Sequence, residues 1–152
     1  FCLSRGLGDV YKRQVQIQIL LLLRELQAEF GMSMIFVTHD IGVAVEICDR
    51  IAVMYAGQIV ESGALRDIVR DARHPYAQGL LASTVHGNPG GSRLETIPGA
   101  PPSLSEPPTA CQFAPRCRHA RQTCHQMPPP AVELGARRMV RCVLAEPQGV
   151  PA

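Results

Sequence analysis

Two groups of residues in this sequence have the types and spacing to do chemistry. The first is Thr38-His39-Asp40, the polar step that ends the apolar run opened by Ser33-Met34-Ile35-Phe36-Val37. A histidine in a loop beyond a strand can donate a hydrogen bond to an anion and titrates near neutrality. The competing reading is a His-Asp pair that merely caps a strand-to-helix turn. The second group is Cys111, Cys117, Cys124 and Cys142, spaced C-x5-C-x6-C-x17-C. Four thiolates can hold a structural zinc or a 4Fe-4S cluster, although both usually show tighter C-x-x-C spacing. Two disulfides or four idle thiols compete with the metal, and disulfides would suit a secreted protein, of which there is no other sign. Arg116, Arg118, Arg121, Arg137, Arg138 and Arg141 against Glu133 leave a local surplus of five positive charges, which would offset clustered thiolates. Nucleic-acid binding by these arginines lacks interleaved aromatics, since Phe113 stands alone among them. His119 and His125 read as surface residues.

The elements that must position these groups follow from periodicity. Ile19, Leu22, Leu23, Leu26 and Phe30 fall at helical spacing within Val15–Phe30, and Gly31 is placed to end that helix. The run from Ser33 to Thr38 predicts a strand buried on both faces, as in a parallel sheet. Asp40 is a candidate N-cap for a short helix over Ile41–Cys48. Arg50–Tyr55 and Gln58–Glu61 flank Ala56-Gly57 in the pattern of a tight hairpin. Two short helices follow, over Ala64–Ala72 and from His74 to Thr84, with Pro75 in the first turn of the second.

Composition divides the chain further. Lys12 is its one lysine and lies within FCLSRGLGDVYKRQ, residues 1–14; after Gln14 the chain carries twelve arginines against twelve acidic residues. That opening segment looks non-native or disordered, like a translated scar, and is set apart from the fold. No apolar run approaches the roughly 20 residues of a membrane-spanning helix. Residues 85–108 are dense in Gly and Pro and read as a linker. Residues 109–152 hold few large aliphatics, so hydrophobic burial alone would not order them. The 152 residues thus divide into 1–14, an α/β part over 15–84, a linker over 85–108 and a cysteine-rich part over 109–152.

The order of an apolar strand, THD, a short helix and CDRIAVMYAGQIVESG resembles the C-terminal part of an ABC transporter ATP-binding subunit. HPYAQGLLAS, IPGAPPSL and the CQFAPRCRHARQTC…RRMVRCVL tail together resemble the oligopeptide and dipeptide importers of that family. The resemblance implies an α/β fold, the C-terminal part of a P-loop ABC ATPase domain followed by an irregular Pro/Cys-rich extension. It implies that His39 contacts the terminal phosphate of ATP, as both a catalytic and a nucleotide-binding residue. It further implies a 4Fe-4S cluster on Cys111, Cys117, Cys124 and Cys142, ahead of zinc.

The same resemblance implies ATP and Mg2+ as cofactors of the parent protein, and di- or oligopeptides as cargo, with nickel as a related cargo. Its partners would be a second ATPase subunit, two transmembrane permease subunits and a periplasmic or extracellular peptide-binding protein, with no nucleic acid. The location would be peripheral, on the cytoplasmic face of the cell membrane. The sequence contains no G-x-x-x-x-G-K-S/T phosphate loop, no LSGGQ-type signature and no apolar strand ending in Asp-Glu. The chain by itself is therefore expected to be inactive as an ATPase. The rival reading is a stand-alone metal-binding or redox module without ATPase activity.

Overall fold

The computed structural model describes residues 4–83, 96–103, 105, 107–135 and 137–145, with side chains described from Gln14 onward. Cys2, part of the opening segment and most of the Gly/Pro-rich stretch 85–108 lie outside the described residues. The chain forms two compact units, Phe1–His39 and Asp40–Ala152.

The first unit consists of helix α1, Ser4–Phe30, and the segment that follows it. Its helical backbone starts upstream of the expected Val15. Gly31 ends it at φ +61°, a left-handed conformation that favours glycine, and Met32 N–H donates back to Gln27 O at 3.3 Å. The buried parallel strand expected over residues 33–38 is not formed. Met32–Thr38 has no sheet partner among the described residues, and Ile35 and Val37 are 94% and 90% exposed. A parallel strand needs hydrogen-bonded neighbours and covered faces, and the described residues supply neither.

The second unit has a mixed α/β architecture around an antiparallel sheet. Asp40 caps α2, Ile41–Ile47, by accepting from Val43 N–H at 3.3 Å. Strands β1, Arg50–Tyr55, and β2, Gln58–Ala64, form the hairpin that Ala56-Gly57 announces. Both turn residues have positive φ, +48° and +78°, as the twist of a two-residue hairpin requires. Helices α3, Leu65–Asp71, and α4, Pro75–Ala82, follow, with Pro75 opening the second. Two 3-10 turns, Ala114–Arg116 and Gln122–His125, precede β3, Ala131–Glu133, and β4, Met139–Arg141.

The sheet order is β1-β2-β4-β3, antiparallel throughout. Val140 of β4 pairs with Glu61 of β2, so the cysteine-rich part enters the same sheet as the hairpin. Among the described residues the cysteine-rich part thus joins the α/β body through β4, and nothing there marks off a distinct Pro/Cys-rich extension. A register shift between Val53 and Met54 pairs Val53 with Glu61 and Met54 with Ile59. The extra residue on β2 is Val60, and this bulge lets the successive residues Val60 and Glu61 both face inward. Tyr55, Val60 and Phe113 form the centre of the core, flanked by Tyr76, Ile97, Cys111 and Cys117. Tyr55, Tyr76 and Phe113 pack with ring centroids 4.6 to 5.4 Å apart. Large apolar side chains buried in this way contribute about 1.5–3 kcal/mol each.

Candidate functional site

His39 is the last residue of the first unit and is exposed. Its neighbour Asp40 is committed to the backbone of α2. The capping role weighed for the pair thus falls to the aspartate, which leaves the imidazole on the surface immediately before the helix.

The four tail cysteines do converge. Cys111, Cys117, Cys124 and Cys142 line one cavity of about 20 Å³, together with His74 and Phe113. The 3-10 turns build its walls: Ala114 N–H donates to Cys111 O, Cys117 N–H to Ala114 O, and Arg121 N–H to Cys124 Sγ at 3.4 Å. Cys111 N–H donates to Cys124 O at 2.9 Å, tying the two turns together. Burial pushes the Cys111, Cys117 and Cys142 thiols up from their ordinary range. His119 and His125 are exposed, with His119 reaching the cavity rim.

This geometry corrects the metal assignment. Among the described residues no group of three or more His, Cys, Asp or Glu side chains is placed to hold a metal ion. The 4Fe-4S cluster, the zinc alternative and the metal-binding form of the rival reading all lose their ligand set by that finding. Thiolates bind metals, whereas burial favours the neutral thiols of Cys111, Cys117 and Cys142. Two of the six arginines are engaged away from the thiols. Arg116 donates to Pro98 O at 2.7 Å, to Ile97 O at 3.0 Å and to the Tyr55 hydroxyl at 3.3 Å. Arg138 donates to Glu61 at 3.0 Å, to Asp71 Oδ2 at 3.3 Å and to Asp71 O.

Residues 60–124 match the family described as the oligopeptide/dipeptide transporter, C-terminal region. A putative peptide import ATP-binding protein of Brucella ovis is 45% identical over 135 residues, covering 85% of this chain and 40% of the relative. The dipeptide transport ATP-binding protein DppD of Haemophilus influenzae is 45% identical over 128 residues, 84% of this chain and 38% of that protein. The oligopeptide transport ATP-binding protein OppD of Salmonella typhimurium is 46% identical over 115 residues, 76% of this chain and 34% of that protein. The chain matches the C-terminal region of oligopeptide and dipeptide ABC transporter ATP-binding subunits. It spans about 40% of the first of these relatives. The match to a C-terminal region agrees with the lack of a phosphate loop, signature and Asp-Glu strand in the 152 residues.

The span matched to the peptide-transporter region begins in β2 and ends at Cys124. It takes in residues that sequence reasoning passed over. Glu61 is fully buried and accepts from Arg73 N–H at 2.9 and 3.0 Å, His74 N–H at 2.8 Å and Arg138 Nη2 at 3.0 Å. His74 is 2% exposed, and its Nδ1 accepts from Tyr76 N–H at 3.1 Å, so the His-Pro-Tyr sequence is a self-capping helix start. Burial pulls His74 down to about 4 from the ordinary 6.5, which keeps it neutral. The alternation of a regular strand does not forecast Glu61, because a bulge turns it inward. The sign available in the sequence is one acid in β2 and the Arg137-Arg138 step between Cys124 and Cys142.

Proposed function

We propose that this chain belongs to the ATP-binding subunit of an ABC importer that couples ATP hydrolysis to the uptake of di- or oligopeptides. The observation that carries this reading is the match of residues 60–124 to the oligopeptide/dipeptide transporter C-terminal region. The names of the relatives, which speak of peptide import, dipeptide transport and oligopeptide transport, support peptides as the cargo. No residue described above favours nickel.

In this reading His39 is the residue of the chain that meets nucleotide. Its exposed imidazole, free of the capping task that Asp40 performs, would donate a hydrogen bond to the terminal phosphate. Such a donor stabilises charge that builds on the phosphoryl oxygens during transfer. The phosphate loop and the carboxylate that orients water would come from residues outside these 152, and ATP with Mg2+ would bind there. The chain alone is inactive. A second ATPase subunit, two permease subunits and a peptide-binding protein outside the membrane would complete the transporter. The placement is peripheral, on the cytoplasmic face of the membrane; among the described residues no helix is long and apolar enough to cross it.

The test begins by sequencing the source DNA upstream of the Val15 codon and expressing the complete reading frame with its permeases in vesicles. His39→Ala is expected to abolish ATP-driven uptake of labelled peptide while nucleotide binding persists. Uptake unchanged in that variant would overturn the role of His39. A reading frame without a phosphate loop would overturn the transporter function itself.

A further inference from the structure

We propose that the groove formed by Gly79 of α4, Tyr55, Phe113 and Arg116 is a peptide-binding site for short free peptides that present an aliphatic residue followed by a Pro-Gly turn. Residues 96–99 fill it as an internal ligand, and a free peptide of that class exchanges with them. The inference does not rest on the transport reading, since it needs no nucleotide and no other subunit.

Three observations give these residues the seating of a bound peptide. The first is a hole for one side chain. Ile97 packs against the Tyr55, Val60 and Phe113 cluster, and α4 admits it only because residue 79 is glycine: a Cβ there would stand 2.9 Å from Ile97 Cγ1 and 3.0 Å from Cδ1. A hole walled by aromatic rings selects an aliphatic side chain. The second is a grip on the main chain. Arg116 Nε donates to Pro98 O at 2.7 Å and Nη2 to Ile97 O at 3.0 Å, while Nη1 donates to the Tyr55 hydroxyl at 3.3 Å. Charge-assisted bonds to successive carbonyls hold a backbone whatever side chains it carries. The third is the independence of the segment. Among the described residues no backbone hydrogen bond joins residues 96–100 to a helix or strand, and Pro98 and Gly99 are exposed. The attachment is one side chain and two carbonyls, which can let go without opening the sheet.

The shape of the ligand follows from the same residues. Gly99 has φ +78°, the value of the third residue in a type II turn, and Pro98 precedes it in the position that such turns favour. A peptide with this step is already bent and gives up little freedom on binding. The aliphatic residue supplies the burial; a lysine in its place would bring an ammonium into an apolar hole beside the Arg116 guanidinium. An internal segment competes for its own site at an effective concentration of about the millimolar range. The groove is therefore mostly closed to free peptide in the intact chain, and opens when Ile97 loses its hold.

The experiment titrates the full 152-residue chain into a fluorescein-labelled peptide with the sequence of residues 96–101 and reads fluorescence anisotropy. Ile97→Lys should free the groove and bind the peptide at least about tenfold more tightly than the unaltered chain, whose own segment competes. Adding Arg116→Met to Ile97→Lys should weaken binding by about tenfold or more, because both carbonyl bonds are lost. A peptide with lysine in place of its isoleucine should not bind. Should a variant fail to fold, the unaltered chain still decides: at millimolar concentration, a peptide carrying a photoreactive diazirine on the isoleucine position should crosslink to α4, Tyr55 or Phe113, as mapped by mass spectrometry. No binding to a folded Ile97→Lys chain, equal binding with and without Arg116, equal binding of the lysine peptide, or crosslinks absent from the groove would each overturn the site.

Discussion

The segment Met32–Thr38 and the segment around β4 reverse the order that hydropathy gives them. Met34-Ile35-Phe36-Val37 is the more apolar, yet Ile35 is 94% exposed; Val140, in a stretch crowded with arginines, is 0% exposed. The difference lies in partners. β4 finds the free edge of β2, and Arg138 beside it finds a buried carboxylate, so a three-residue strand is ordered by two long-range attachments. Met32–Thr38 meets no such edge among the described residues. Burial is thus decided by which hydrogen-bonding edge is available, and hydropathy states only what could be buried there.

The largest way to break this contrast is to remove the attachment of β4. Glu61→Gln leaves Arg138, at 11% side-chain exposure, with only the half-exposed Asp71 carboxylate, and weakens the acceptor of the Arg73 and His74 amides. The expected cost is about 3–5 kcal/mol, the range for breaking a buried pair from one side. Urea unfolding followed by the fluorescence of Tyr55 and Tyr76, both in the core, measures it, since the chain has no tryptophan. Arg138→Met should also destabilise, because it leaves the fully buried Glu61 carboxylate held only by the Arg73 and His74 amides. A loss under about 1 kcal/mol in Glu61→Gln would mean that this network does not hold the body together.

Acidification tests the same junction next. His74 is neutral in the fold and takes a proton only near 4, whereas the unfolded chain takes it near 6.5. The unfolded state therefore binds more protons between these values. Stability present above 6.5 is lost as pH falls towards 4, by at most about 3 kcal/mol for a shift of this size. His74→Gln should flatten that part of the pH dependence while leaving the titration of the carboxylates in place. Equal slopes for the two proteins between pH 6.5 and 4 would show that His74 is not the proton-linked group.

How much of this was legible depended on the distance over which each interaction acts. The Asp40 cap, the Ala56-Gly57 turn and the Pro75 helix start are local, set by residues within a few positions, and each stands where its sequence places it. Glu61 and Arg138 lie 77 residues apart, and β3 and β4 are three residues each, too short to show a period. The four cysteines were legible as a group, and the fold brings them to one cavity. Their chemistry was not, because spacing carries no record of how burial favours the neutral thiol or of where nearby arginines are engaged.

A smaller effect sharpens the packing of the Gly/Pro-rich region. A Cβ on Gly79 would sit 2.9 Å from Ile97 Cγ1, a distance that real Cβ atoms do not show. Gly79→Ala should therefore lift Ile97 off α4 and strain the carbonyl grip of Arg116 on Ile97 and Pro98, at about 1–3 kcal/mol. Ile97→Ala in the same background should recover part of that loss by clearing the space. Two additive losses would mean that the glycine and the isoleucine do not meet.

The smallest expected effect bears on the other side of the contrast. Ile35→Thr and Val37→Thr replace side chains that are 94% and 90% exposed, so each should change the stability of this chain by less than about 0.5 kcal/mol. Threonine keeps the β-branched shape of both residues, so the comparison isolates apolar surface from backbone preference. Sedimentation at several concentrations belongs with the urea curves, because exposed apolar side chains on a segment with no sheet partner among the described residues also drive association. If the substitutions reduce association without moving the unfolding midpoint of the dilute monomer, the segment is a surface in want of an edge. A loss of about 2 kcal/mol in the dilute monomer would instead place Ile35 and Val37 in a core, and the contrast with β4 would collapse.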